Sequence, residues 1–181
     1  MTICDAAPSC DGAAAIMIQK AGLSSGHVCV AGSSSLSHRP GIQNLVVDLV
    51  IPAAKVTAEN ALGQAGLRLQ DMSLFEIHDS SAILAALSLE AIGLAKRGGA
   101  LELAKSGALS LGGKTPCWTF GGNKARGNTI GASGVYQLVE ATLQLRGDAG
   151  ENQVAGHPTT ALTQCLGSFG ATAITHVLVS K

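Results

Sequence analysis

Three separated segments of the chain carry side chains that can form hydrogen bonds or move a proton. His78 follows one short apolar stretch, Asn128 lies in a glycine-rich stretch, and Cys165 lies near the end of another apolar stretch. An imidazole exchanges protons near neutral pH, an amide only donates or accepts hydrogen bonds, and a thiol is both an acid and a nucleophile. Each side chain lies where a strand is predicted to end or a helix to begin, so these three are the candidates for a functional site.

His78 lies between a predicted strand and a predicted helix, where its ring can face a cleft. Residues Leu74 to Ile77, which are apolar apart from Glu76, are typical of a short buried strand. Asp79 and the two serines after it are good N-caps for the apolar helix Ile83 to Ile92, so we expect Asp79 to cap this helix and not to react. The residues alone leave two interpretations of His78 open: a histidine satisfied within the fold, or a group that contacts a ligand.

The stretch from Gly127 to Gly134 predicts a small-residue turn that leads into a helix. Glycine lets the backbone approach a ligand closely, and a helix N-terminus points amide groups at it. Such a turn is weak evidence by itself. Within it, the Asn128 amide can donate to a developing oxyanion, a contribution on the order of 3 kcal/mol, but it cannot act as a base.

Cys165 is one of five cysteines, the others being Cys4, Cys10, Cys29 and Cys117. Their number is odd, and their spacing contains no CxxC pair or zinc-ligand pattern, so we expect no metal site and a reducing, cytoplasmic setting. A cysteine in an apolar strand is often a small buried hydrophobe. Packing is therefore the alternative to a reactive role for Cys165.

The composition indicates one compact unit with a surface made for other protein. The 181 residues are 46% apolar and only 13% charged, which favours a tightly packed interior and a patch that a partner covers. Twelve basic residues balance twelve acidic ones, so no net field favours nucleic acid or an anionic membrane as a partner. No run approaches the roughly 18 apolar residues of a membrane helix, and the first residues do not resemble an export signal.

Strands and helices are predicted to alternate along the chain, which is typical of an α/β layered domain. The helices are marked by Pro52 and Gly66 at the two ends of the first, by residues 100–105 and by the apolar spacing from Val135 to Gly147. Besides residues 74–77, the predicted strands are Val28 to Leu36, Thr115 to Phe120, Thr160 to Leu166 and Ala171 to Val179, the last two joined as a hairpin.

The three segments resemble the C-terminal half of a thiolase. They are Phe75-Glu76-Ile77-His78-Asp79, Lys124-Ala125-Arg126-Gly127-Asn128-Thr129-Ile130-Gly131-Ala132-Ser133-Gly134 and Gln164-Cys165-Leu166-Gly167. The pairing of His78 with Asp79 is similar to the branch of sterol-carrier-protein thiolases and archaeal acetyl-CoA acetyltransferases. The resemblance runs from about Asp11-Gly12-Ala13-Ala14-Ala15 to the C-terminus. It implies a thiolase-like layered domain, with a mixed sheet and helices packed on both of its faces.

The resemblance also implies how the chain is divided. Residues 51–181 correspond to the thiolase C-terminal domain, and residues 1–50 to a linker and a remnant of the N-terminal domain. The apolar run from Gly12 to Ile18 would be the last strand of that N-terminal domain. The family's nucleophilic cysteine belongs to the N-terminal half, and no cysteine in these 181 residues corresponds to it.

Roles for the candidate residues follow from the resemblance. His78 would hold a substrate oxygen or a water, and Cys165, in the family's Cys-x-Gly turn, would move the proton on the α carbon. The family's Gly-His-Pro-x-Gly-Ala-x-Gly pattern has Asn128 in place of its histidine and Thr129 in place of its proline. His78, Asn128 and Cys165 are thus the implied catalytic residues. The implied substrate-binding residues are Gly127, Gly131 and Gly167.

The resemblance implies an acyl-CoA C-acyltransferase, which joins or cleaves 3-oxoacyl-CoA by Claisen chemistry once an N-terminal half supplies the nucleophile. Coenzyme A arrives with the substrate, and no further cofactor is expected. The implied partners are acyl-CoA and the N-terminal half, within a homo- or hetero-oligomer. The alternative is a degenerate, non-catalytic thiolase domain that serves as a scaffold or an acyl-CoA-binding subunit.

Overall fold

A computed structural model of the chain describes residues 2–20, 28–38 and 49–180. Its centre is a four-stranded sheet in the order β1-β4-β3-β2. The strands are β1 Val28–Ser37, β2 Leu74–Ile77, β3 Thr160–Gly167 and β4 Thr172–Ser180. β4 pairs antiparallel with both β1 and β3, whereas β2 pairs parallel with β3. The sheet is therefore mixed, as predicted.

Five α-helices are found in the described ranges. They are α1 Pro52–Ala65, α2 Ala82–Ala91, α3 Ala100–Lys105, α4 Gly122–Arg126 and α5 Ser133–Arg146. The ends of α1 follow from its sequence, because proline lacks the N–H that a first turn leaves unpaired and Gly66 takes a left-handed φ of 67°. No helix among the described residues is long and apolar enough to cross a membrane.

Helices cover both faces of the sheet, which confirms the predicted layering. On one face, α1 and α2 pack on Phe75, Ile77, Leu162 and Val177. On the other face, α5 packs through Ala141 and Leu145 on Leu74, Ala161 and Leu178. The approach of α1 is close, since a Cβ added to Gly32 in β1 would overlap the carbonyl of Ala61. The absence of a side chain at Gly32 is what allows this close approach.

Two predicted strands are wrong. Residues 11–20, which include the run from Gly12 to Ile18, form no strand or helix, and Met17 is 95% exposed. A strand needs a neighbour for its backbone groups, and no described strand lies beside this run. Between Thr115 and Phe120 only Cys117 forms a bridge, with Phe75.

The second error has a local cause in Trp118. Its φ of 54° turns the chain out of an extended conformation, and its indole N–H donates to the carbonyl of Ile77 at 2.7 Å. The tryptophan thus ends the pairing after one residue. The segment still follows the edge of β2.

β1 lies in the same sheet as the three later strands. The predicted division at residue 50, with residues 1–50 as a remnant and linker, stays a prediction. The loop that leads to about Val50 lies largely outside the described residues, which omit 39–48.

Candidate functional site

His78 and Cys165 meet where β2 ends. In the parallel register Ile77 is paired with Gln164, and the ladder continues with the His78 N–H donating to the Gln164 carbonyl at 2.8 Å. The next residues on the two strands are therefore neighbours, with Cys165 Sγ 3.8 Å from His78 Nδ1. Two of the three predicted catalytic side chains are thus in contact.

The first turn of α5 packs against this pair. A Cβ added to Gly134 would lie 3.2 Å from both Cβ and Sγ of Cys165, which is tighter than an ordinary contact. Gly134 therefore leaves room for Cys165 beside the first turn of α5. One turn later, Gln137 Nε2 donates to the Gln164 carbonyl at 3.1 Å. The helix thus fixes the strand on which Cys165 lies.

Asn128 is tied to the same helix start. Its Oδ1 accepts hydrogen bonds from the Ile130 N–H at 3.0 Å and from Ser133 Oγ at 3.1 Å. Because Ser133 is the first residue of α5 and precedes Gly134, the link from Asn128 to Cys165 runs through this turn. The Nδ2 group of Asn128 has no protein partner among the described residues, which leaves it as a donor.

The N-terminal segment lines the loops of the site. The Asn128 N–H donates to the Pro8 carbonyl at 2.7 Å, and the Cys10 N–H donates to the Asn128 carbonyl at 3.3 Å. Ala6 forms a bridge with Ser81 on the other side. Residues 6–10 therefore connect the loop after His78 with the turn that contains Asn128.

The three predicted substrate-binding glycines differ in their surroundings. Gly127 has a φ of 99°, and a Cβ there would overlap Cys10 Sγ, so the N-terminal segment requires its small size. Gly131 has open space around it. Gly167 has an extended φ of −118° and would meet only an ordinary contact with Thr172 at 3.6 Å. Their role in binding substrate stays a prediction.

Asp79 caps a different helix from the one predicted. Its Oδ1 accepts from the Asn123 N–H at 2.7 Å and its Oδ2 from the Lys124 N–H at 3.2 Å, both in α4. Ser81 caps α2, since its Oγ accepts from the Leu84 N–H at 3.3 Å. Burial raises the pKa of Asp79, and the two backbone donors oppose that shift.

Four residues that join the site were not predicted: Glu76, Asn123, Arg126 and Glu140. Asn123 is 1% exposed, with Nδ2 3.5 Å from His78 Nδ1 and Oδ1 accepting from Arg126 Nη2 at 3.3 Å. Arg126 Nη1 forms an ion pair with Glu140 Oε1. One feature of the sequence could have indicated these residues. Glu76 is a charged residue within an otherwise apolar predicted strand, in a chain that has few charged residues.

Burial determines the charges around the site. It raises the pKa of Glu76 to about 8, with the charge of Glu140 adding to the shift, although Thr119 donates to Glu76 Oε1 from its N–H and its hydroxyl. It raises the pKa of Glu140 to about 7, against the pull of Arg126. Burial also lowers the pKa of His78 and raises that of Cys165. His78 and Cys165 are therefore both uncharged at neutral pH.

Residues 2–20, 28–38 and 49–180 contain no group of three or more His, Cys, Asp or Glu side chains that could hold a metal ion. The arrangement at His78 and Cys165 suits proton transfer and hydrogen bonding to an oxygen.

Known proteins resemble this chain in sequence and in fold. The acetyl-CoA acetyltransferase of Methanothermobacter thermautotrophicus is 32% identical over 98% of this chain and 47% of its own length. Human sterol carrier protein 2 is 32% identical over 97% of this chain and 34% of its own length. The chain thus spans less than half of either relative. A solved Ltp2-ChsH2(DUF35) aldolase, 22% identical, shares the fold with a TM-score of 0.72 over 88% of this chain and 41% of the aldolase chain.

The family comparison covers most of the described structure. The family described as thiolase C-terminal domain-like matches residues 35–180, from the end of β1 to the end of β4. This range contains the sheet edge, the α5 start and all three predicted catalytic residues. The relatives belong to the two groups of proteins that the sequence motifs resemble. The chain therefore belongs to the thiolase C-terminal domain-like family.

Proposed function

We propose that this chain provides the C-terminal half of the site of a thiolase-like acyl-CoA C-acyltransferase. The observation that carries the proposal is the contact between His78 and Cys165, which lies where two parallel strands meet the first turn of α5. The missing half would supply the nucleophilic cysteine, either from a second polypeptide or from another part of a longer one. The substrate would be an acyl-CoA or a 3-oxoacyl-CoA.

One relative supports an arrangement in separate subunits. The benzoylsuccinyl-CoA thiolase subunit BbsB of Thauera aromatica is 32% identical over 61% of this chain, and its name describes a subunit of a thiolase. We propose a hetero- or homo-oligomer on this basis, in the cytoplasm, with no cofactor beyond the coenzyme A of the substrate.

The condensation would proceed in two stages. The partner's thiolate first attacks the acyl thioester, and the thiolate of coenzyme A leaves. Cys165, as a thiolate, then takes the α proton of a second acyl-CoA. The carbanion attacks the acyl group, a carbon–carbon bond forms, and the partner's cysteine leaves. Thiolysis is the reverse sequence.

His78 and Asn128 would stabilise the oxygens that become negative in these stages. The free Nδ2 of Asn128 is a donor whose amide is held in place through its oxygen, and preorganised donors of this kind are worth roughly 3 kcal/mol each. An amide cannot act as a base, so Asn128 gives no help in deprotonating the partner's cysteine. Such help is worth roughly two to four orders of magnitude in rate, and the missing half would have to supply it.

The alternative function is that of a non-catalytic scaffold or acyl-CoA-binding subunit. One observation favours it: Asn128 Oδ1 bonds to Ile130 and Ser133, which is a turn-stabilising role that needs no chemistry. Under this alternative, Asn128 contributes to the α5 start alone.

Covalent trapping separates the two functions. The chain is combined with an N-terminal thiolase half encoded beside it or, failing that, with the matching half of the Methanothermobacter relative. The mixture is then treated with labelled acetyl-CoA. We expect intact-mass spectrometry to find acetyl on the partner's cysteine and none on this chain. A stable complex without acetylation supports the scaffold, and acetylation of Cys165 contradicts the assignment of the nucleophile to the other half.

A further inference from the structure

Arg126 is held in place on the side of Asn123 that faces away from His78. Its Nη1 pairs with the buried Glu140 carboxylate, and its guanidinium lies 4.6 Å from the centre of the Tyr136 ring. The two side chains of the ion pair are 17% and 8% exposed. A guanidinium has five N–H donors, no acceptor, and a charge that it keeps in proteins. Any atom that bonds to Arg126 must therefore be an acceptor.

This requirement orients the amide of Asn123. The side-chain atom that faces Arg126 Nη2 at 3.3 Å must be oxygen, so the NH2 group is the one that faces His78 Nδ1 at 3.5 Å. The side-chain amide cannot turn towards solvent, because Asn123 is 1% exposed and its backbone N–H donates to Asp79 Oδ1. The chemistry of Arg126 thereby assigns both ends of Asn123.

The amide in turn determines the protonation of His78. An NH2 group only donates, so the ring atom that it faces must offer a lone pair. The neutral imidazole then carries its proton on Nε2, and an imidazolium, with a proton on both nitrogens, would place two donors face to face. The lowered pKa that burial gives His78 acts in the same direction.

We propose that Asn123, oriented by Arg126, is a positioning residue that holds His78 as the Nε2–H tautomer and leaves Nδ1 as the acceptor for the Cys165 proton. Asn123 lies outside the three motif segments, the second of which begins at Lys124. The tautomer stands on geometry alone, whereas its catalytic consequence rests on the proposed function.

The consequence is a relay between Cys165 and His78. Cys165 Sγ lies 3.8 Å from the same Nδ1 atom. When the thiol gives its proton to Nδ1, the S–H bond breaks and an Nδ1–H bond forms, which gives a thiolate beside an imidazolium. The new Nδ1–H faces the NH2 group of Asn123, so this ion pair is a transient state that returns its proton readily. Nε2–H keeps its proton throughout and stays a donor for a substrate oxygen. Arg126, which is paired with Glu140, is linked to the ring through Asn123, and Asp79 follows His78 in the chain.

Nitrogen NMR of the 181-residue chain tests the tautomer without any partner. Histidine labelled with 15N distinguishes a ring nitrogen that carries a proton from one that does not, and a His78→Gln variant assigns the signals among the five histidines. We expect a protonated Nε2 and an unprotonated Nδ1 at neutral pH. A proton on Nδ1 in the unaltered chain would overturn the proposal.

Asn123→Asp reverses the hydrogen-bonding requirement at His78 Nδ1, because a carboxylate accepts a hydrogen bond where the amide NH2 donates one. The major tautomer should change to Nδ1–H, and the pKa of His78 should rise by about one unit next to the new charge. Asn152→Asp, the same change at an exposed asparagine, should leave both values as they are. An unchanged tautomer in a folded Asn123→Asp chain overturns the proposal.

A second variant tests the proposal if the Asn123→Asp chain does not fold. Asn123→Ala removes the amide donor without adding charge, so the Nδ1 resonance should move to the position of a lone pair without an N–H neighbour. An unmoved Nδ1 resonance overturns the proposal. These spectra are recorded on the chain alone, so they remain valid even if the proposed acyltransferase function is wrong. If instead the proposed tautomer is wrong, the acyltransferase function is still tested separately by acetylation of the partner's cysteine.

Discussion

The two faces of the sheet bury different kinds of polar group. Under α1 the buried polar groups are neutral, with Gln164 Nε2 donating to the Ala54 carbonyl and to Thr175 Oγ1, which bonds to Thr57. Under α5 they include the ionisable side chains of Glu76 and Glu140, beside neutral ones such as Gln144. Neutral hydrogen-bonded groups cost little to bury, whereas charged ones cost far more unless they are paired. The comparison indicates that the α1 face mainly packs against the sheet and that the buried ionisable groups lie on the α5 face, which is the face that we propose carries the chemistry.

The largest expected effect is on the rate of reaction when Cys165, which lies on the α5 face, is replaced. In the reconstituted enzyme, Cys165→Ala should lower kcat for thiolysis by about two to four orders of magnitude, because it removes the thiol that we propose moves the α proton. The free energy of unfolding should change far less. Cys29→Ala, at a half-buried cysteine in β1, is the matched control. Equal kinetics for the two variants would leave Cys165 as a packing residue.

Asn128 tests whether the turn serves chemistry or only structure. Asn128→Asp keeps the oxygen that bonds to Ile130 and Ser133 but loses the amide donor, so kcat should fall by about two to three orders of magnitude with little change in substrate binding. Asn128→His should keep the donor and leave the rate at or above that of the unaltered chain. A full rate for Asn128→Asp in steady-state kinetics would remove Asn128 from the catalytic site and leave it as a residue that stabilises the turn.

Substitutions on the α1 face should lower the free energy of unfolding. Leu162→Ala empties a fully buried site between the sheet and α1, and such a change costs about 2–5 kcal/mol of unfolding free energy. Leu101→Ala, at a leucine that is 64% exposed, should cost no more than about 0.5 kcal/mol. Urea unfolding measures both. A similar loss in the two variants would contradict the packing described for this face.

The last effect concerns the pH dependence that Glu76 gives to stability, and it is small at each single pH step. Its pKa is about 8 in the folded chain and near 4.5 without burial, so between these values the folded state holds a proton that the unfolded state has lost. Stability should therefore fall as pH rises through this window, by at most about 1.4 kcal/mol per unit. Glu76→Gln should flatten the fall, while Glu59→Gln, at an exposed glutamate, should not. Urea midpoints at pH 5 and pH 8 that stay equally far apart in both variants would contradict the raised pKa.

The sequence predicted elements that local chemistry determines. Pro52 and Gly66 bound α1, and the bounds of β2 match the apolar residues 74–77, because capping and short-range pattern decide both. The run from Gly12 to Ile18 was mispredicted since a strand depends on a neighbour that sequence pattern cannot supply. Trp118 ends a strand through a bond to Ile77, which lies 41 residues earlier.

The site was predictable where motifs carried it. His78 and Cys165 became candidates because each lies at or near the end of an apolar stretch and within a motif of the family, and the parallel register brings the two side chains together. Asn123 was missed because its role depends on His78, which is 45 residues away in sequence, and on the ion pair of Arg126. Such roles depend on which atoms face one another in the folded chain.

The most direct test of the account is steady-state thiolysis of acetoacetyl-CoA by the chain alone and by the chain reconstituted with an N-terminal thiolase half, with contaminating thiolase removed. The account predicts no turnover by the chain alone, turnover after reconstitution, and loss of that turnover in Cys165→Ala. Turnover by the chain alone would contradict it, because it would place a complete acyltransfer site within these 181 residues.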